Sequence, residues 1–278
     1  MNKQLKFLMV AMVAAISIAS CKKNDTVEPE KESNCKITTI IPKEGTKQGS
    51  FEVVYNSNSK IIKLSGKDPD GVPVLYELTY NPTNIYGVET NGSNKNLIVY
   101  NQDNQSRVIN IVEAGSQIAV LKYNTDGYIS EVNYGGTPIS DVAKLNYNDG
   151  NLVQALIYDY NNILINDIKF EYTSESAITS VNFTDPLFLN SGLSLVDAIV
   201  PNGVFGKVSK NQIKKITNTS YQNGNKEFVI DTFTYTKDSS GKIIDILQNN
   251  LLQRQTGSNA IVTLDNTSFS LGLKYTCN

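Results

Sequence analysis

Cys21 is the residue whose surroundings specify its chemistry most narrowly. It follows Ile18-Ala19-Ser20, behind an apolar run from Phe7 to Ile18 and a basic front at Lys3 and Lys6. Such a stretch is a secretory signal, too short to span a bilayer as a stable helix. Small residues before a cysteine match the bacterial lipobox, in which only a thiol can carry the diacylglycerol thioether. The sequence therefore predicts removal of residues 1–20 and lipidation of Cys21, an anchor worth about 0.8 kcal/mol for each buried CH₂. The other two cysteines, Cys35 and Cys277, stand near the two ends of the remaining chain in an oxidising compartment. Two readings stay open for them. A disulfide would close a very long loop and add about 4 to 5 kcal/mol by chain entropy; otherwise they are two buried free thiols.

The chain has no histidine and no tryptophan. Histidine-based metal sites, Ser-His-Asp hydrolysis and Cys-His catalysis are therefore excluded, and the sequence points to no metal, no cofactor and no enzyme. Lys67-Asp68-Pro69-Asp70-Gly71 resembles a calcium loop but lacks its third spaced oxygen and its distal glutamate; a Pro-Asp-Gly turn accounts for it. Gly206-Lys207 lacks the glycine and the Ser/Thr of a phosphate loop, since Pro201 and Val208 occupy those places. Paired carboxylates could still hydrolyse a glycan without histidine. Asp126 and Asp149 are the candidates, both in turns where a backbone role already suffices. A formal net charge of −2 supplies no field for nucleic acid.

These residues must be held by a β framework. Lys22 to Asn34, KKNDTVEPEKESN, buries nothing and reads as a flexible tether over residues 21–34. Lysine at position 22, in place of the aspartate that retains some lipoproteins at the inner membrane, favours the outer membrane. Asp25-Thr26-Val27 resembles an O-glycosylation acceptor, making Thr26 a candidate modification site. Residues 35–278 read as one antiparallel β domain. Tyrosines recur at 55, 80, 100, 123, 147 and 172, a period of about two dozen residues that fits two strands and two turns. Turn residues follow most of them, as in Tyr123-Asn124-Thr125-Asp126-Gly127 and Tyr147-Asn148-Asp149-Gly150.

After the turns come apolar pairs three apart: Ile61/Leu64, Val108/Ile111, Ile129/Val132, Leu152/Ala155, Ile178/Val181, Ile213/Ile216 and Ile243/Ile246. Positions i and i+3 of a regular strand face opposite ways. Either a bulge returns both to one face, or both faces of the sheet are covered. The fold expected is all-β: a curved antiparallel meander or incompletely closed barrel of hairpin repeats. The rhythm stops over 185–210, where one or two short helices are expected, covering one end of the sheet.

The Tyr-Asn-x-Asp-Gly units followed by Ile-x-x-Val distantly resemble YD-type repeats. The turns after Tyr55 and Tyr100 lack the glycine of that pattern, and only Arg107 supplies the arginine that follows its turn. The same units, the segment Gly206-Lys207-Val208-Ser209-Lys210-Asn211-Gln212-Ile213-Lys214-Lys215-Ile216 and the ending Tyr275-Thr276-Cys277 are more closely similar to a Bacteroidota lipoprotein family described as porin-like. The resemblance implies a fold and no activity. Strands rich in Lys, Asn, Asp and Thr do not suit a lipid-facing band. The expectation is a lipid-anchored binding or scaffolding module of the outer membrane, at its periplasmic face or on the cell surface. Its partners would be the membrane, through the anchor, and a glycan, a peptide or an envelope protein. The alternative is a carboxylate-dependent glycan hydrolase of the envelope.

Overall fold

The computed structural model describes residues 35–91, 93–135, 140–177, 204–222 and 224–277. Its strands are β1 (Cys35–Glu44), β2 (Lys47–Gln48), β3 (Ser50–Tyr55), β4 (Ile61–Lys67), β5 (Pro73–Tyr80), β6 (Asn84–Asn91), β7 (Asn94–Gln102), β8 (Val108–Glu113) and β9 (Ser116–Tyr123). They continue with β10 (Ile129–Tyr134), β11 (Asp141–Asn148), β12 (Asn151–Asp159), β13 (Leu164–Ser176), β14 (Asn211–Gln222), β15 (Asn225–Lys237), β16 (Ile243–Thr256) and β17 (Val262–Cys277). Apart from β2 and β3, which follow one another along β1, each strand pairs antiparallel with the next, and β1 pairs with β17 from Cys35↔Cys277 to Glu44↔Phe269. Because β2 and β3 both lie against β1, the wall is a closed barrel of sixteen staves.

Closure corrects the expected incompletely closed sheet. Pairing between the chain's two ends depends on cumulative register around the barrel, which no local pattern encodes. The expected helical insertion at 185–210 is not borne out either. Residues 185–203 lie outside the described residues, and 204–210 form a turn, a single bridge and extended chain. Backbone bonds to successive hairpin tips draw that stretch out straight, as set out below. No helix occurs among the described residues.

The apolar pairs obey the bulge reading. An extra residue sits after Ile61, Val108, Ile129, Leu152, Ile213 and Ile243, where the register with the preceding strand shifts by one. Both members of each of these pairs are consequently buried. Ile37 and Ile40 repeat the device in β1; Ile178 and Val181 lie outside the described residues.

Buried side chains come from every strand except β2, and Tyr76, Tyr100, Tyr134 and Phe51 are at most 1% exposed. In a single chain such burial is possible only inside the barrel. A round barrel of sixteen strands would enclose a water-filled lumen, so these walls have closed onto their own side chains. The outer face carries charged rows, Lys122, Glu131 and Lys144 in one and Glu171 beside Lys215 in another, with apolar side chains such as Val54, Tyr86, Leu97 and Leu247 also exposed on it. A membrane-spanning barrel has the reverse polarity, apolar outside and polar within.

Candidate functional site

The barrel has two unlike ends. One carries the chain's first described residue, its last strand end and the tips β3–β4, β7–β8, β9–β10, β11–β12 and β15–β16. Here the S–S bond of Cys35 and Cys277 ties the seam between β1 and β17, the two sulfurs 1.98 Å apart.

The recurring tyrosines also gather at this end. Tyr55 donates its hydroxyl to the carbonyl of Ile37 (2.9 Å), Tyr80 to Ile61 (2.8 Å), Tyr123 to Val108 (2.6 Å) and Tyr172 to Leu152 (2.7 Å). Tyr235 reaches Ile213 (2.8 Å) and Tyr275 reaches Ile243 (2.7 Å). In each case the tyrosine lies at or within four residues of the end of the second strand of a hairpin, and the acceptor lies just before the bulge at the start of the first. The latch fastens two strands where no turn joins them. Burial pushes Tyr55 and Tyr172 up to about 12, and Tyr80 and Tyr235 upward as well, so these hydroxyls stay neutral structural donors.

A cation covers several latches. Lys36 lies over the Tyr55 ring (5.4 Å), Lys60 over Tyr80 (4.9 Å) and Arg107 over Tyr123 (4.4 Å). Each immediately precedes the accepting residue, and Lys242 holds the same place before Ile243. Lysine thus holds in several latches the place that Arg107 holds in one, an equivalence hidden until the latch geometry is known. The intervening turns share one wiring. Asn56, Asp103, Asn124 and Asp238 each accept, on Oδ1, the backbone N–H groups two and four residues on. The fourth residue of each turn has positive φ: Ser59, Ser106, Gly127 and Gly241.

Residues 204–210 run across these tips as a strap. Val108 N–H donates to Val204 O (2.5 Å), Lys207 N–H to Gly127 O (2.9 Å) and Lys210 N–H to Gly150 O (3.1 Å). Phe205 enters the core, 4% exposed, with its ring edge-on to Tyr100 at 6.4 Å. Ser209 accepts from Leu152 N–H (3.1 Å) and meets the Tyr172 hydroxyl at 3.0 Å. Gly206 is required by space as well as by its φ of 76°: a Cβ there would lie 2.4 Å from Gly127 O and 2.7 Å from the Tyr123 ring.

Between strap and tips lies an open hollow of about 490 Å³ lined by Gln105, Arg107, Asn124, Asp126, Gly127 and Lys207, among others. Its charges are partly committed. Arg107 binds Asp103 through both Nε (2.9 Å) and Nη2 (2.7 Å), and Lys207 lies 5.6 Å from the Tyr128 ring centre. Burial alone would raise the Asp103 carboxyl, but Arg107 and two backbone N–H groups hold it below its usual range. The hollow can hold a polar ligand.

Of the carboxylates picked from sequence, Asp126 lines the hollow, whereas Asp149 in the next tip is bound to Lys210 at 2.7 Å. They do not form a free acid pair. Asp68 accepts Val72 N–H as a turn cap and Asp70 pairs with Lys47 (2.5 Å), so the calcium-like loop is a turn. Asp141 faces Asp159 across β11 and β12 at the other end, and burial followed by repulsion from Asp159 raises the Asp141 carboxyl. Asp159 is occupied as a cap by Asn161 and Ile163. Cys21 and Thr26 lie outside the described residues.

No family model matches the chain, and no curated protein matches it. Among solved structures it is similar to a porin-like protein from Bacteroides uniformis ATCC 8492, with a TM-score of 0.59 and 13% sequence identity. The match covers 87% of this chain and 96% of that one. The similarity is one of fold.

Proposed function

We propose that the chain is a lipid-anchored envelope protein whose barrel works in water as a binding or scaffolding module beside the outer membrane, and not as a channel. The observation that carries this reading is the polarity of the wall: apolar side chains fill the interior and charged rows cover the exterior. Membrane attachment then falls to the lipid on Cys21. The tether of residues 21–34 joins the wall at Cys35, so the latched end faces the membrane and the opposite end faces outward. A porin-like neighbour fits an envelope location.

Acyl-chain labelling with fractionation of Cys21→Ser tests the reading. Loss of label and release from the membrane fraction are expected; retention of the unlabelled variant in the membrane would refute the lipid as sole anchor. Protease treatment of intact cells then distinguishes the cell surface from the periplasmic face. The glycan hydrolase remains a second reading because Asp141 stands opposite Asp159. Release of reducing ends from envelope polysaccharide, abolished in Asp141→Asn, would favour it.

A further inference from the structure

At the end away from the disulfide, the wall is uneven. Strand β1 follows β17 only as far as Phe269, whereas β16 continues with β17 to Val262. Strands β14–β17 thus rise past the rim as a lip whose inner face is given by register. Phe233, Gln248 and Phe269 form a low row, and Ile216, Asp231, Asn250 and Thr267 the next. Asn218, Val229, Leu252 and Asp265 lie above them. Exposure increases up the lip, from 6% at Phe233 and Asp231 to half-buried Val229 and Leu252 and an exposed Arg254.

Asp231 is the anomaly on this face. Its Oδ1 accepts Gln248 Nε2 and Asn250 Nδ2, both at 2.8 Å. Among the described residues no donor reaches its Oδ2 and no cation pairs with it. One strand over, Asn218 Oδ1 is buried with no partner. The two residues are diagonal cross-strand neighbours, a relation that sets Cα atoms about 7–8 Å apart. Asn218 Oδ1, a buried acceptor without a donor, and Asp231, a nearly buried carboxylate, are costly unless something supplies hydrogen bonds and positive charge.

A divalent cation such as calcium needs six or more oxygens and usually several carboxylates, and no metal-binding cluster occurs among the described residues. A primary ammonium needs only three acceptors. Asp231 and Asn218 offer two of them on neighbouring strands. Asp265 adds negative charge on the lip and Asp141 stands opposite Asp159 on the barrel rim, while Glu227 is paired with Arg254 at 2.8 Å. We propose that Asp231 and Asn218 form a site for a protonated primary amine on a ligand entering from the outward-facing end. This rests on the reading of the barrel as a binding module and names the chemistry of one ligand group.

The test is titration calorimetry of the mature chain in detergent with spermidine as probe. Saturable one-to-one binding is expected, weakened at least tenfold in Asp231→Asn and severalfold in Asn218→Val. Asp231→Asn should fold, because its Oδ1 still accepts both amides and its new N–H can face Asn218. Its Tm is expected to equal or exceed that of the native chain. Equal spermidine binding in native chain and Asp231→Asn, or none in either, would overturn the site. Calcium chloride competing with spermidine in the native chain would replace the amine by a metal. Maltohexaose binding lost in Asp231→Asn would overturn the amine assignment yet leave the module reading standing. The latter fails separately if pull-down with the lipid-free domain retains no protein, glycan or lipid.

Discussion

The two ends of the barrel solve opposite problems. At the latched end, six tyrosine hydroxyls, a disulfide and a strap bind strands that no turn joins. At the other end the strands are unequal, and the inner face carries Asp231 and Asn218 with unmet bonding capacity. Cross-links gather at the first end, while the two buried acceptors without a partner among the described residues are divided: Gln212 Oε1 lies at the latched end and Asn218 Oδ1 on the lip.

The comparison is broken most strongly by opening the seam. Cys35→Ser with Cys277→Ser removes a cross-link between residues 242 apart, for which chain entropy gives about 5 kcal/mol. A fall in Tm on the order of 10 °C or more is expected for a domain of this size, read by differential scanning calorimetry. Next comes Phe205→Ala. It deletes a buried ring that holds the strap in the core and should cost about 3–5 kcal/mol, with faster amide exchange at Val108 than at residues of the lip. Removing one latch hydroxyl, as in Tyr80→Phe or Tyr123→Phe, leaves a carbonyl without its donor and should cost about 1–2 kcal/mol in urea unfolding. The smallest change has the opposite sign. Ser59 and Ser106 both sit at φ 60°, so glycine at either position should stabilise the chain by about 0.5–1 kcal/mol.

Much of the latched end was legible in the sequence, and little of the lip was. The tyrosine rhythm and the Asn/Asp turns are local chemistry, and Ile-x-x-Val spacing in a β-branched segment demands a bulge or two covered faces. The structure chose the bulge. Lys60 and Lys242 escaped notice as counterparts of Arg107, because lysine at those positions has meaning only once the neighbouring tyrosine ring is in place. The strap was expected as a cover but misread as helical. Phe205 and Gly206 lie in a turn and a bridge of a strap whose path is set by three hairpin tips far apart in sequence. Barrel closure and the Asp231–Asn218 pair are cross-strand facts: Asn218 meets Asp231 only through the registers of β14 with β15, and neither residue stands in a motif.

The central claim is that this barrel is filled and outwardly polar, and needs no bilayer to fold. Sedimentation of residues 22–278 in detergent-free buffer tests it. The account predicts a soluble species with a cooperative thermal transition and a β-rich circular dichroism spectrum. Folding only in detergent or lipid, with ion conductance across planar bilayers, would contradict it.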